Sequence, residues 1–499
     1  MEKADMVTIE QRPIRWKQHS HYEPTTNEER ELDRTINLKL DLVVVLILSI
    51  NFILCGIDKT NIGFVATTNF VKDANLRPDD VPDSVSLLSV TFVTLQPFSA
   101  AIGRYIRPKY WICLMMLFWG AVCMAHAGVK NRATLIALRL LLGAAEAGFV
   151  PTSFYYLSTL YPKYVLGRRL GLFCGMFAIA GAFAGLIAYG LFKIKSDVLH
   201  DWQILFIFEG AITLLMAIVT FVMLPADLHT AWFLTPLQRA HAVRRMQMDL
   251  DENVPDIEEV ATTKESRRFS SRDLKEALTD WKKLIVILFN ITATLPVSAF
   301  SYFMPLLVKG MGYTGVKASL MSVPPFIVGA IGLFCFVTSS DYFKERSLHV
   351  MSAMFLAIIG LIVMVVSTSS KLRYGFTHVC LAGAFTGGPL IVAWIAGNTP
   401  EKGVRSILIG INGYSNLAGV IAGQLFKTKH SPRYRFPLTV TMCIMSAGIV
   451  GFGIIRSVFV YINRSRERKI ATWTDADFET EENSTVRRGD RRYTFKYGY

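Results

Sequence analysis

Long apolar segments recur along the whole chain and constrain its fold more than any other feature. A helix that crosses the hydrocarbon core of a bilayer needs about 20 consecutive, mainly apolar residues. Segments of this kind occur at 40–57, 84–102, 110–127, 133–157, 170–192, 204–224, 284–308, 318–338, 348–367, 376–395, 406–426 and 436–459. The sequence therefore predicts an all-α membrane protein with twelve transmembrane helices.

Composition and charge agree with a membrane environment. Hydrophobic residues make up 52% of the chain and charged residues only 18%, which is too apolar for an ordinary soluble protein. The net charge of +14 comes mainly from basic residues in the tails and loops. This placement favours contact with anionic lipid head groups, so the lipid bilayer is an expected partner and nucleic acid is not.

A polar segment between the sixth and seventh spans divides the spans into two sets of six. The predicted organisation is a cytoplasmic N-terminal tail (1–39), a six-helix half (40–224), a cytoplasmic linker (225–281), a second six-helix half (282–462) and a mobile cytoplasmic C-terminal tail (463–499). Within the linker, 236–250 has a helical pattern with many charges, which predicts a helix along the membrane surface.

The two halves contain a similar segment at equivalent positions. Residues 185–192 of the fifth span and 419–426 of the eleventh share five of eight residues. A chance match between apolar segments is the alternative. A duplicated six-helix unit explains the spacing, because parallel repeats of this kind build one large class of transporters.

The orientation in the membrane is less evident than the number of spans. An even number of spans places both termini on one side. Basic residues of the short loops alone favour the opposite orientation, but the tails and the segment after Leu224 carry many more, so we predict that both termini are inside. A glycan on Asn483, in the sequon 483–485, would overturn this orientation.

Cysteine usage gives no sign of a metal or redox centre. All seven cysteines fall inside apolar segments, where small buried side chains are the simplest interpretation. They are Cys55, Cys113, Cys123, Cys174, Cys335, Cys380 and Cys443. We expect neither a metal nor a cofactor.

An acidic and a basic residue stand at the end of the first predicted span. A charged side chain inside a span costs at least ~2.5–3.5 kcal/mol, so its presence needs a reason. Asp58 shares one helical face with Asn51 and with Asn61, and Lys59 follows it. Either Asp58 and Lys59 mark the point where the span meets water, or they lie in the membrane as functional groups; apolar residues 62–66 favour the second interpretation.

The fourth span carries two further charges, Arg139 and Glu146. Seven residues separate them, which places both on one face about 10 Å apart along the axis. A structural ion pair with another helix is one explanation. The other is a functional carboxylate, because acids inside membrane spans often take up and release protons.

Polar side chains also occur in the second half. Asn290 lies in the seventh span, Trp394 near the end of the tenth, and Asn412 in the eleventh. Each amide either holds helices together or contacts a substrate. Glu209, early in the sixth span, is either a functional group or a helix-end anion paired with a neighbour.

Two short basic loops occupy equivalent positions in the halves. The loop after the second span contains Arg104 and Arg107, and the loop after the eighth contains Asp341 and Arg346. They predict a pair of gates with charge contacts that break during transport, although the usual excess of basic residues on the inside explains them equally well.

Several motifs together resemble the major facilitator superfamily and, within it, the fungal allantoate-permease branch of the anion:cation symporter family. The matching stretches are 58–63, 138–151, 155–158, 161–162, 202–210, 224–225, 233–235 and 431–435, and the resemblance extends over most of 32–455. The family fold is two six-helix halves. Its members are secondary transporters, not enzymes.

The resemblance implies roles for the charged residues of the first half. Asp58 and Glu146 match acidic positions that couple proton movement to transport in bacterial sugar-acid members. Lys59 takes the place of a basic residue that faces the substrate carboxylate. Arg139 matches a recurrent arginine expected to tune Glu146, and Asn61 lies in the same motif in a supporting position.

The resemblance also implies substrate contacts in the second half. Asn412 matches a substrate-contacting asparagine, Trp394 fits a tryptophan contact with a one-residue gap, and Asn290 lies near a polar seventh-span contact. Gly56 stands where sugar-acid carriers tend to have tyrosine, and the second-span loop lacks the usual acidic gate residue. The first departure argues against a sugar acid. Because fungal members of the family carry vitamin-like and nitrogen-source anions, the resemblance implies a vitamin-like monocarboxylate as the substrate, with nicotinate first and allantoate, pantothenate or biotin-like anions as alternatives.

The leading functional hypothesis is a monomeric proton symporter that imports a small organic anion across the plasma membrane, or across an internal membrane. A nutrient sensor without transport is an alternative, but the tails contain no recognisable soluble domain. A membrane enzyme is disfavoured because there is no nucleotide-binding glycine loop and no pair of histidines at metal-ligand spacing.

Overall fold

Twelve long apolar helices form the body of the protein. The computed structural model describes residues 24, 26–250, 271–313, 315–482 and 489–499. Within that part of the chain, twelve helices are long and apolar enough to cross a membrane. They are Asn27–Val65, Asp80–Ile106, Pro108–Gly128, Arg132–Leu160, Val165–Leu191, Asp201–Met223, Trp281–Lys309, Val316–Phe343, Ser347–Val366, Ser370–Gly397, Gly403–Leu425 and Arg435–Ile470. The predicted fold class is confirmed.

The first span is longer than predicted at both ends. Thr26 caps its N-terminus by accepting a hydrogen bond from the Glu29 amide, and the helix continues through a π-helical turn, Asp41–Val45, to Val65. Asp58 and Lys59 consequently lie inside the helix, only 1% and 7% exposed. The interpretation that they mark the end of the span is wrong, because the apolar residues that follow them extend the helix for almost two further turns.

Two spans are interrupted next to predicted site residues. The fourth span consists of Arg132–Glu146 and Phe149–Leu160, and the eleventh contains a 3-10 turn, Gly413–Asn416, after Asn412. Close packing accompanies the first interruption, since a side chain on Gly148 would overlap the Ser99 hydroxyl of the second span. Glu146 and Asn412 are thus the last residues of helical segments that end inside the bundle.

The two halves touch at the membrane face opposite the linker, here called the far end. The second span of one half packs on the eleventh of the other, where a side chain on Gly419 would overlap Ser89. Lys427 forms an ion pair with Asp83. Lys309 Nζ donates to the Thr67 carbonyl oxygen over 3.1 Å. Polar and close-packed contacts therefore hold the halves together at this face.

At the opposite face, the linker end, the halves separate. The space beside the glycines on one side of the fifth span shows how far the eighth span lies from it at each level. A Cβ on Gly185 would lie 2.8 Å from Val323 Cγ2, and a Cβ on Gly175 would lie 3.3 Å from Phe334, whereas Gly171 and Gly167 have nothing within 4 Å. Because these glycines lie within about a quarter of the helix circumference, the helices diverge toward the linker end, and this conformation opens there.

The repeated segments occupy equivalent places in the two halves. The fifth span, with 185–192, packs on the eighth across the interface, and the eleventh, with 419–426, packs on the second. In both copies the first glycine permits the close approach of a helix from the other half. This arrangement is what a duplicated six-helix unit produces.

The linker contributes two surface helices, Pro236–Leu250 and Ser271–Thr279, and the first confirms the helix predicted at 236–250. Asp33 Oδ1 of the N-terminal helix lies 3.0 Å from His241 Nε2 and 3.2 Å from Arg245 Nη1. The first linker helix is thereby fixed to the first half. Residues 251–270 and the sequon at 483–485 lie outside the described residues.

The last residues of the chain are docked against the second half, so the prediction of a mobile tail is wrong for 489–499. Two asparagines bind the main chain of this segment at both its N–H and its carbonyl. Asn463 Oδ1 accepts from the Tyr497 N–H over 2.9 Å, and its Nδ2 donates to the Tyr497 carbonyl oxygen over 2.8 Å. Asn398 Oδ1 accepts from the Gly498 N–H over 2.7 Å, and its Nδ2 donates to the Gly498 carbonyl oxygen over 3.0 Å. Paired amide contacts of this kind satisfy an extended chain as a neighbouring strand would.

Side chains of the tail are buried as well. Tyr497 is 1% exposed, its ring stacks on Phe459 at 4.6 Å between centroids, and its hydroxyl donates to Asp490 over 2.7 Å. Burial disfavours the charged form of Asp490, but Lys283 and the Tyr497 hydroxyl outweigh it and hold the pKa of Asp490 below its usual value. This contribution to stability is therefore present above about pH 4 and lost in stronger acid.

Tyr497→Ala is expected to lower the free energy of unfolding by about 3 kcal/mol, because it removes a buried aromatic ring and leaves a cavity. The measurement is thermal unfolding of the purified full-length chain in detergent. Tyr461→Ala, at a position 74% exposed on the twelfth span, is the control and should change little. Equal unfolding temperatures for the two variants would contradict a docked tail.

Candidate functional site

An ion pair between Lys59 and Glu146 forms the centre of the candidate site. Lys59 Nζ lies 3.7 Å from Glu146 Oε2 and 3.6 Å from the ring centroid of Phe92. Glu146 is fully buried, and neither of its carboxylate oxygens has a hydrogen-bond partner among the described residues. The attraction to Lys59 thus substitutes for hydrogen bonds at a buried carboxylate, an arrangement in which exchange of the cation's partner costs little reorganisation.

This pair lies next to the contact between the halves. Phe92, which covers the Lys59 ammonium, belongs to the second span, whose neighbouring turn at Ser89 touches the eleventh. One turn after Lys59, a side chain on Gly63 would overlap the Tyr302 carbonyl of the seventh span. A ligand bound between the halves would therefore reach Lys59 from the gap that opens at the linker end.

Arg139 connects the fourth span to the first. It is fully buried, and its Nη2 donates to Asn61 Oδ1 over 3.0 Å, while Nε and Nη1 have no hydrogen-bond partner in the described chain. Glu146 pairs with Lys59 on another helix. A structural ion pair and a functional carboxylate, the two explanations for the charges of this span, are therefore compatible. The supporting role that the motif implied for Asn61 stays a prediction.

Asp58 points away from Lys59 toward the third and sixth spans. The Cys123 thiol donates to Asp58 Oδ1 over 3.2 Å, and the Thr213 hydroxyl donates to Oδ2 over 3.4 Å. Cys123 is thus more than a small apolar side chain. The ligand-type atoms of Asp58, Cys123 and Glu209 lie within 4.8 Å of one another.

Glu209 is the residue that sequence reasoning undervalued. It is 2% exposed and accepts a hydrogen bond from Asn61 Nδ2 over 2.9 Å. The signal was present, because Glu209 lies five residues inside the predicted span 204–224, where a charged side chain is costly. Asn61 therefore joins Glu209 to Arg139 through hydrogen bonds.

The amides predicted in the second half come together. Asn290 Nδ2 of the seventh span donates to Asn412 Oδ1 of the eleventh over 2.8 Å. Thr294 also donates to the Asn290 carbonyl oxygen over 2.9 Å. The pair can serve both roles considered for it, because it joins two helices and retains amide groups that can bind an anion.

Trp394 lies in a different place from the one implied by the family resemblance. Its indole Nε1 donates to the Gly498 carbonyl oxygen over 2.9 Å, and its ring packs on Phe452 and Phe459 of the twelfth span. In this conformation it binds the C-terminal tail. A substrate contact by Trp394 is not supported, because the tail already uses its one polar group.

The two predicted gating loops form charge contacts inside their own halves. Arg107 lies 3.9 Å from Asp227 at the start of the linker, and Arg346 pairs with Asp341 of the same loop. Arg104 lies over the Tyr155 ring at 4.8 Å. Asp227 supplies an acidic partner that the second-span loop itself lacks. Contacts between the loops of opposite halves stay a prediction for the conformation that closes the linker end.

Comparison with known families decides the classification. The model of the Major Facilitator Superfamily matches residues 48–424, which extend from the first span through the linker to the eleventh span. This chain belongs to the Major Facilitator Superfamily. It is therefore a membrane transporter by family, with two six-helix halves around a central path.

Fungal relatives are similar over most of their length. An MFS-type transporter, efuF, of Hormonema carpetanum is 32% identical over 88% of this chain and 87% of its own. The major facilitator-type transporter hxnP of Emericella nidulans is 29% identical over 85% and 86%. The high-affinity nicotinic acid transporter of Saccharomyces cerevisiae is 27% identical over 88% and 80%.

Solved structures of the same fold are more distant in sequence. A bacterial homologue of the human lysosomal transporter Spinster, inward-facing and unoccupied, has a TM-score of 0.60 at 14% identity, covering 87% of this chain and 98% of its own. The xylose transporter XylE of Escherichia coli has a TM-score of 0.57 at 12% identity, with 82% and 96% covered. These similarities concern the fold alone.

Proposed function

We propose that this transporter imports a small organic anion together with protons, by alternating access. The observation that carries the proposal is the buried Lys59–Glu146 pair beside the gap between the halves. A cation held at this depth is expensive unless it has an anionic partner. Lys59 can exchange Glu146 for a substrate carboxylate when Glu146 accepts a proton.

The coupling follows from charge balance at Lys59. With Glu146 ionised, the ammonium is neutralised within the protein and attracts an external anion weakly. Protonation of Glu146 removes that competitor, so the anion and the proton bind best together. A site that favours the doubly loaded and the empty states over either singly loaded state is the requirement for symport.

The substrate class follows from the polar groups available. One buried ammonium, Lys59, suits a single carboxylate, and the amides of Asn290 and Asn412 suit a second polar atom across the gap. A small aromatic or heterocyclic monocarboxylate fits this set, and nicotinate is the first candidate. The similarity to a yeast nicotinic acid transporter supports that choice.

Uptake of radiolabelled nicotinate, allantoate, pantothenate and biotin tests the proposal. The full chain is expressed in yeast cells that lack their own carriers for these anions, and uptake is measured at two external pH values. We expect faster accumulation at acid pH and collapse with a protonophore. Accumulation unaffected by pH and protonophore would exclude proton symport, and binding without flux would favour a sensor.

Asn412→Ala is expected to raise KM about tenfold, equivalent to ~1.4 kcal/mol, because it removes one polar contact and the partner of Asn290. Steady-state uptake of the transported anion measures KM. Asn51→Ala is the control, since Asn51 is also buried and donates to Thr220 over 2.9 Å within the first half. If both variants lost stability with unchanged KM, Asn412 would only join helices.

A further inference from the structure

Besides the Lys59–Glu146 pair, the first half contains two buried acids that lie close together, Asp58 and Glu209. Their carboxylate oxygens lie within 4.8 Å of each other. Glu209 Oε2 accepts from Asn61, but Oε1 has no hydrogen-bond partner among the described residues, although the residue is only 2% exposed. Two ionised carboxylates this close, away from water, repel each other strongly unless a proton or cation lies between them.

The charges that surround the pair are few. Among the described residues, the titratable and charged groups that face this region, from the first, third, fourth, sixth and seventh spans, are Cys55, Asp58, Lys59, Cys123, His126, Arg139, Glu146, Glu209 and Tyr302. Three of them are carboxylates and two are permanent cations. The fully ionised network therefore carries one excess negative charge, and one proton neutralises it.

A proton explains the pair better than a metal ion. Arg139 is held 3.0 Å from Asn61, which in turn bonds to Glu209, so a guanidinium charge already stands beside the pair. A multivalent metal ion bound between the two acids would be repelled by this guanidinium. The donors to Asp58 are a thiol and a hydroxyl that keep their own hydrogens, unlike the deprotonated ligands a metal selects.

We propose that Glu209 shares one proton with Asp58 and that this shared proton is exchanged with the gap during transport in addition to the proton that Glu146 accepts. The inference extends the proposed symport, and it adds Glu209 to the coupling residues. The proton binds to a carboxylate oxygen of the pair, leaves as a hydronium ion when the pair meets water, and breaks no other bond. Asn61 acts as a positioning residue that fixes Glu209 with respect to Arg139.

Infrared spectroscopy of the purified full chain tests the shared proton without any substrate. At neutral pH the wild type should show one carbonyl band from a buried protonated carboxyl, and Glu209→Gln and Asp58→Asn should each abolish that same band. Glu209→Gln retains an oxygen that can accept from Asn61, so the fold is preserved. Glu467→Gln, an identical change in a surface ion pair with Lys496, is the control and should leave the band unchanged.

Absence of the band in the wild type, or its persistence in Glu209→Gln, would overturn the inference. Two bands removed separately by the two variants would also overturn it, since each acid would hold its own proton. In proteoliposomes, Glu209→Gln should lose nicotinate accumulation driven by a pH gradient and keep nicotinate exchange. Wild-type uptake without any dependence on the pH gradient would refute proton symport, while the infrared result would still decide the shared proton.

Discussion

Lys59→Gln is expected to reduce kcat/KM for the transported anion about 100-fold, equivalent to ~2.7 kcal/mol. The substitution removes the ammonium that lies over Phe92 and pairs with Glu146, and removal of one partner of a buried charge pair costs about 2–5 kcal/mol. Glu146 then loses its ion-pair partner, but no cation remains at this position to attract the anion, so the variant should bind anions poorly at every pH. Uptake of the substrate at several concentrations and pH values measures this loss.

Glu146→Gln separates binding from coupling. The substituted amide is neutral in all states and imitates the protonated acid, so Lys59 stays available to the anion. Exchange of labelled for unlabelled substrate should persist, while accumulation against a gradient should disappear. Lys193→Gln, a change at an exposed lysine that contacts Tyr189, is the control for both variants. Intact accumulation by Glu146→Gln would remove Glu146 from the coupling mechanism.

The charged residues of the first half could be found from sequence because they are rare in apolar segments. Asp58, Arg139 and Glu146 each interrupt an otherwise apolar run, and their burial follows from the length of the helices around them. Glu209 carried the same signal, but its position near a predicted span end gave it a simpler explanation. In the structure Glu209 lies close to Asp58. This proximity depends on how the first and sixth spans pack.

Contacts between distant segments could not be predicted. Trp394 binds the main chain of Gly498, 104 residues later, and no periodic pattern encodes such a pairing. Asn398 and Asn463 likewise recognise peptide groups, which are the same for every residue, so the tail sequence gives no specific sign of its site. The family resemblance misplaced Trp394 for this reason, since it assigned a role by position along the span and not by what the side chain meets.

Replacement by leucine of either of two glycines in the fifth span is expected to shift the conformational equilibrium, in opposite directions for the two positions. Gly185→Leu places a side chain against Val323 and Ser319, where the far end is closed in this conformation. It should favour the alternative arrangement, in which the far end opens. At Gly171 an added Cβ has nothing within 4 Å here, but Gly171→Leu should obstruct the approach of the eighth span when the linker end closes. Both variants should transport less than about a tenth as fast as the wild type, because each blocks one of the two required states.

Distance measurements between spin labels at the linker ends of the fifth and eighth spans distinguish the two blocks. Gly171→Leu should retain only the long distance of the open linker end, and Gly185→Leu should shift the population to the short distance. Gly128→Ala, at a glycine with nothing within 4 Å and outside the interface, is the control for the substitution of a glycine as such. Identical distance distributions in the two leucine variants would mean that the halves do not alternate about this contact, and the gap at the linker end would then be a fixed feature of the fold.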